Sequence, residues 1–187
     1  MRLFVAIDPP LEIRAKLSEV ISKLKPESIA PRSIRSESMH LTLKFIGDVD
    51  GKKLDDIRQA LRTATTSSAI ALRFRGIGFF PSRERPRVAW CGVEASDELA
   101  GLAEKIAAAL KPEGVLEELR AFTPHITVAR LPSGPQARNL VRAAEGLKSY
   151  DFGAMNAAEF HLYQSFLKPS GAEYRRLDSF HFLKESI

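Results

Sequence analysis

Two short segments of this chain have the same form. His40-Leu41-Thr42-Leu43 and His125-Ile126-Thr127-Val128 each read histidine, apolar, threonine, apolar, and they stand 85 residues apart. Threonine is scarce here, six in 187 residues, and histidine scarcer at four, so the same spacing found twice points to a shared task. In an extended strand, side chains at i and i+2 share a face, about 6.6 Å apart along the strand. Leu41 and Leu43 then enter a core while His40 and Thr42 face away from it, and Ile126 and Val128 do the same beneath His125 and Thr127. Packed across a cleft, the two polar pairs would set two imidazoles on either side of one gap, with two hydroxyls beside them.

That constellation suits phosphoryl transfer by side chains alone. One neutral imidazole can take a proton from an attacking water while the other, protonated, gives one to the leaving oxygen; an ordinary histidine pKa near 6.5 permits both roles. In-line displacement puts attacker and leaving group on opposite sides of phosphorus, which calls for a two-sided site. Threonine hydroxyls can donate to the non-bridging oxygens as charge spreads onto them. The bland reading of one such histidine is a solvated strand residue, and it is the duplication that outweighs it. A metal centre is not expected, since no His-x-His pair or acidic cluster adjoins either motif.

Other residues carry weaker signals. Arg130 follows the second motif closely, but strict alternation puts it on the face opposite His125 and Thr127, so only a bulge or a strand end brings it to phosphate. Lys44 shares parity with His40 and Thr42, which implies a groove-facing or solvated lysine. Arg83, Arg85 and Arg87 read as an exposed loop that could hold a polyanionic backbone, with affinity that falls as salt rises. Phe79 and Phe80 are candidates to stack a base, against a core role beside Pro81. His161 and His181 lack the threonine two places on and read as structural or surface residues; Trp90 and Cys91 read as core.

These residues need a frame of strands and helices. Leu3–Ile7 is an apolar run suited to a buried strand, after which Asp8 can cap a helix with Pro9 at its first position. That helix shows Ile13, Leu17, Val20, Ile21 and Leu24 on one face, with Pro26 beyond its end. Further helices fit Lys52 to Ala64, Asp97 to Leu110 capped by Ser96, and Gln136 to Leu147. Strands fit Leu41–Ile46, Ala69–Phe79, Val88–Val93, His125–Leu131, Phe152–Leu167 and Tyr174–Leu183, the longer ones with bends or bulges. The strand–helix alternation recurs in the second half, as the motif does.

Composition sets the outer limits. A hydrophobic content of 44% with 27% charged residues is that of a folded globular chain, and the net charge of +5 leans weakly towards an anionic partner. No apolar run is long enough to span a bilayer, no signal peptide is evident, and the lone cysteine precludes an internal disulfide. The expectation is a cytoplasmic protein without a membrane partner.

The order and framing of these segments resemble the two-histidine (2H) phosphoesterase superfamily, and within it the RNA 2′,3′-cyclic phosphodiesterases also called 2′-5′ RNA ligases. The likeness rests on Arg2–Ile7, Met39-His40-Leu41-Thr42-Leu43-Lys44-Phe45-Ile46-Gly47, Phe79-Phe80-Pro81, Arg85–Trp90, Phe122–Arg130, Leu162–Ser165 and Tyr174–Leu177. Ile34-Arg35-Ser36 stands where that family often carries an aromatic residue. The resemblance implies an α+β fold, residues 1–187 forming a single bilobal domain. Two pseudo-symmetric αβ lobes, each with an antiparallel sheet and one His-x-Thr strand, would enclose a central groove. It implies hydrolysis of a terminal 2′,3′-cyclic phosphodiester to a 2′-phosphomonoester, with His40 as proton donor and His125 as proton acceptor. Thr42, Thr127 and Arg130 would hold the phosphate, with no metal and no cofactor. The implied partner is RNA with a 2′,3′-cyclic phosphate end, tRNA fragments among the candidates, acted on by a monomer. Formation of 2′-5′ bonds is an implied side reaction, and no P-loop is present to drive it with ATP. The competing expectations are a non-catalytic module that binds RNA ends, and a phosphodiesterase acting on 2′-5′ linked oligonucleotides or small cyclic nucleotides.

Overall fold

The apolar run at the N-terminus is buried on both faces. Leu3, Val5 and Ile7 enter the main core, while Phe4 and Ala6 join a small cluster with Tyr163 on the other side. A strand of this kind belongs in the middle of a covered sheet. In the computed structural model, which describes residues 1–24, 32–66, 68–116, 121–131, 135–169 and 171–182, that is where it lies. Along the chain β1 (Arg2–Ile7) leads to α1 (Leu11–Lys23), β2 (Arg32–Ser33), β3 (Leu41–Asp48) and α2 (Leu54–Thr63). Then come β4 (Ile70–Phe80), β5 (Val88–Ala95), α3 (Asp97–Leu110), β6 (His125–Arg130), α4 (Pro135–Ala143), β7 (Asp151–Ala157), β8 (Glu159–Lys168) and β9 (Gly171–His181).

The strands form one antiparallel sheet in the order β7-β4-β5-β6-β3-β1-β8-β9, with β2 attached to β6. The order is symmetric about its centre: β3 and β6, the two His-x-Thr strands, are neighbours, and three strands extend outward from each. Leu41 pairs with Ile126 where the halves meet. Because β8 and β9 return to β1, the half that holds His40 is built from both ends of the chain. The helices bury Ile13, Leu17, Ile57, Leu61, Leu102, Ile106 and Leu140 in the same cluster as Leu41 and Ile126, so they cover one face of the sheet. The other face is left to the groove. The class is α+β, as the resemblance implies.

Several local readings change. Helix α1 starts at Leu11 with Pro10 at its cap, and Asp8 caps nothing: its carboxylate accepts from the Tyr163 hydroxyl and from Arg176, which hold it beside β8 and β9. Pro26 lies outside the described residues, as does Leu183. Ser96 stands at the cap of α3, but its hydroxyl donates to Glu98 rather than receiving a backbone N–H. The expected long strand Phe152–Leu167 is two strands parted at Ala158, whose carbonyl accepts from Phe182 N at 2.8 Å. The last helix ends at Ala143 and continues as a short 3-10 turn over Glu145–Leu147.

Gly76 marks a bulge in β4 where the register slips between Arg75 and Ile77. Its φ is +74°, and a Cβ there would lie 2.4 Å from the Lys148 carbonyl oxygen. Gly76→Ala is therefore expected to destabilise the fold by roughly 1–3 kcal/mol, read as a lower urea midpoint at unchanged slope.

Candidate active site

The two motifs share more than sequence. In β3 the pairing with β1 runs Ala6 to Thr42 and then Val5 to Lys44, leaving Leu43 as an extra residue. In β6 the pairing with β5 runs Trp90 to Thr127 and then Ala89 to Ala129, leaving Val128 as an extra residue. Each strand thus bulges three places after its histidine. A bulge inserts one residue and exchanges the faces of every residue that follows.

Two site assignments from strict alternation are settled by this. Lys44 does not face the groove or solvent: it is 4% exposed, on the core side, with Nζ donating to the Leu116 carbonyl at 2.8 Å. Arg130 comes round to the face of His125 and Thr127 and lines the groove with them. The residue that takes Arg130's place in the first motif is Phe45, 60% exposed and facing the same groove. The site is thus symmetric in its imidazoles and hydroxyls, and asymmetric five places on, where one half offers an aromatic ring and the other a guanidinium.

The groove is a cavity of 260 Å³ lined by His40, Thr42, His125, Thr127, Phe45 and Arg130, among others. With Leu41 opposite Ile126, antiparallel geometry sets His40 beside Thr127 and Thr42 beside His125, with Cα atoms about 5 Å apart. The His40 Nδ1–H donates to the Ser38 carbonyl at 2.8 Å, and the His125 Nδ1–H donates to the Thr123 carbonyl at 2.7 Å. A carbonyl can only accept, so each Nδ1 carries its proton and each Nε2 is the reactive nitrogen. Among the described residues no hydrogen bond engages the Thr42 or Thr127 hydroxyl, and both are available to a ligand.

The two rings are held differently. His40 lies 4.7 Å from the Phe4 ring and 5.0 Å, edge-on, from Tyr174, with Tyr163 stacked beyond. His125 meets the Phe80 ring edge-on at 5.0 Å, with Trp90 at 6.2 Å. Trp90 reaches there because its ring lies over Gly78, where a Cβ would sit 2.2 Å from ring carbon. Phe79 is core, 5% exposed, and so is not the base platform that the sequence allowed, while Phe80 is half-buried and meets His125. Arg83 pairs with Glu145 and sits over the Phe79 ring at 5.5 Å, in a structural role. His161 is buried against the Ser179 hydroxyl, His181 is exposed beside Glu159, and Cys91 is buried with its thiol pushed up to about 12 by desolvation.

Burial in this aromatic surround pushes His40 down to about 4. The Ser38 carbonyl and the Asp8 charge act in the opposite sense, and Arg14 and His125 add to the fall. Burial alone would raise Asp8, yet the Tyr163 bond and the Arg14, His161 and Arg176 charges hold it below the usual carboxylate range. Desolvation also lowers His161. These shifts fix a pH dependence of stability. Between about 6.5 and 4 the unfolded chain binds a proton at His40 that the folded chain does not, so stability is full above that window and falls as the pH drops through it. Urea midpoints measured from pH 7.5 to 4 should decline towards acid, and the decline should be shallower in His40→Gln.

Asp8, Phe4, Tyr163, Tyr174 and Phe45 are the contributors that sequence reasoning missed. For Phe45 a signal existed: the second motif carries Ala129 where the first has Lys44, and an apolar residue there marks that place as core and the next as groove. No comparable signal marks the others, which meet His40 through long-range strand pairing.

Residues 9–165 match the family model described as the 2′-5′ RNA ligase superfamily. A relative from Archaeoglobus fulgidus named RNA 2′,3′-cyclic phosphodiesterase is 35% identical over 96% of this chain and 99% of its own length. One of the same name from Thermotoga maritima is 34% identical over 95% and 93%. Among solved structures, a Thermus thermophilus protein superposes with a TM-score of 0.82 at 30% identity, covering the whole of both chains. Escherichia coli LigT complexed with 3′-AMP gives 0.77 at 25% identity over 97% of each.

Proposed function

The chain belongs to the 2′-5′ RNA ligase superfamily, and on that footing we propose that it hydrolyses the 2′,3′-cyclic phosphate at an RNA end to a 2′-phosphomonoester. The observation that carries the reading is the pair of imidazoles, each anchored at Nδ1 by the carbonyl two residues before it, presenting Nε2 to one cavity.

In this mechanism His125 Nε2 takes a proton from water as the water oxygen bonds to phosphorus. The bond from phosphorus to the 3′ oxygen breaks, and His40 Nε2–H protonates that oxygen as it leaves. Thr42 and Thr127 donate to the non-bridging oxygens, and Arg130 balances their charge. His40 must be protonated to act, although burial keeps it neutral in the free protein. The anionic phosphodiester supplies the missing charge, since an opposite charge within a few ångströms favours the imidazolium. A 5′ hydroxyl in place of water would run the same chemistry towards a 2′-5′ bond. Both halves of the site come from one chain, which supports a monomeric, bilobal working unit. Cleaved cytoplasmic RNA, tRNA fragments included, is the natural source of such ends.

The low proton affinity of His40 favours one second reading, in which the roles are exchanged and His40 is the base. A substrate with sulfur at the leaving 3′ position separates the two, because a thiolate leaves without protonation: the donor's alanine variant is rescued by it and the acceptor's is not. The reaction itself is tested by incubating the protein, in chelator, with RNA ending in a 2′,3′-cyclic phosphate. A 2′-phosphate product is expected. A 3′-phosphate reverses the leaving oxygen, and tight, salt-sensitive binding with no product would make the protein a binding module instead.

A further inference from the structure

The groove does not end at the two imidazoles. A second, larger cavity of 540 Å³ continues from it, sharing Ile34, Ser38, Arg130, Leu167, Ala172 and Tyr174 and running out past Lys168, Pro169 and Gly171 at the adjoining ends of β8 and β9. Its walls alternate in character. Ile34, Leu167 and Pro169 give an apolar floor, with Leu167 72% exposed, while Arg130, Arg35 and Lys168 stand along it as cations. Among the described residues, the Arg35 and Lys168 side chains are engaged only by surface carboxylates: Arg35 with Glu37 at 3.5 Å and, at longer range, with Glu173, and Lys168 with Glu173 at 2.6 Å, all exposed except the half-buried Glu173. Exposed pairs of this kind contribute at most about 1 kcal/mol and exchange readily for another anion. An apolar floor for bases and riboses, flanked by cations at intervals, is what a single strand of nucleic acid requires.

We infer that this extension holds the nucleotides preceding the reacting end, so that the preferred substrate is an oligonucleotide whose strand leaves the groove between Arg35 and Lys168. The inference rests on the RNA-end reading above and goes further in giving the strand a direction. Glu173 is then an internal competitor: it occupies Lys168 until a phosphate displaces it.

The test compares a nucleoside 2′,3′-cyclic phosphate with a trinucleotide bearing the same end. The trinucleotide is expected to show a KM at least about tenfold lower at low salt, an advantage that shrinks as salt rises. The double variant Arg35→Ala, Lys168→Ala should remove most of that advantage, with far less effect on the mononucleotide, and Glu173→Gln should lower the trinucleotide KM further. Equal KM values for the two substrates would overturn the inference. So would an advantage that survives the double variant, or one lost instead in Arg85→Ala, Arg138→Ala, which would run the strand over the loop before β5, where those arginines line a separate hollow. If the mononucleotide is hydrolysed and only the length effect is missing, this inference alone falls; if neither substrate is hydrolysed, the reaction reading falls and takes it along.

Discussion

His125→Ala and His40→Ala should each lower kcat by about 10²–10⁴-fold while leaving the fold intact. Each ring is only partly buried and its loss leaves the helix-covered core untouched, so thermal midpoints should move little compared with the activity. The double variant should be scarcely worse than either single one, because acid and base act in the same step and removing one already forfeits the concerted transfer. The pH profile of kcat separates the roles. In the proposed assignment His125→Ala abolishes the acidic limb, where the base would be protonated, and His40→Ala abolishes the alkaline limb, where the donor would be lost. These limbs report the complex with substrate, in which the phosphodiester anion has raised His40 from its low value in the free protein. Undiminished turnover in both alanine variants would remove the two imidazoles from the reaction.

Thr42→Val and Thr127→Val should produce the next largest loss, roughly 10²-fold each in kcat, the range seen when one donor to a developing oxyanion is removed. Valine keeps the β-branch and the strand preference of threonine, so the change isolates the hydroxyl. The loss should fall on kcat with KM nearly constant, since the hydroxyls are assigned to charge that grows in the transition state; serine at either position should restore most of the rate. A rise in KM at unchanged kcat would reassign the threonines to ground-state binding.

The candidate site was legible in the sequence because it was written twice. Two histidines and two threonines at the same spacing identify a face and a pairing, and the structure places them on adjacent central strands of one sheet. The apolar stripes of the helices were legible too, from Leu99, Leu102, Ile106 and Leu110 for instance, all of them buried, while the α+β class came through the resemblance. Alternation failed at one kind of point. The extra residues Leu43 and Val128 reverse every face after them, which hid Phe45, buried Lys44 and gave Arg130 back to the groove. Neither motif taken alone announces a bulge, since leucine and valine suit a strand either way; only the apolar Ala129 at the place of Lys44 hints at it. Asp8 failed for a different reason: a carboxylate before a proline-led helix is a sound cap by local rules, but the pull of Tyr163 and Arg176, more than 150 residues away, is stronger and invisible to them.

The same asymmetry that alternation concealed gives the pseudo-symmetric site a direction. Phe45 on one side and Arg130 on the other add to the different surroundings of the two rings and make the two halves unequal. In the proposed mechanism that inequality would assign the donor and acceptor roles to the same histidines in every turnover.

The most direct test of the shared-phosphorus claim is a titration of the histidine ring protons by NMR with inorganic phosphate. Only four histidines are present, so each signal can be assigned by its own substitution. His40 and His125 are expected to shift together along one saturating, one-to-one curve, His40 taking up a proton as it does so, while His161 and His181 stay still. Phosphate that moves one of the pair without the other, or the two with different affinities, would contradict a single phosphorus held between them.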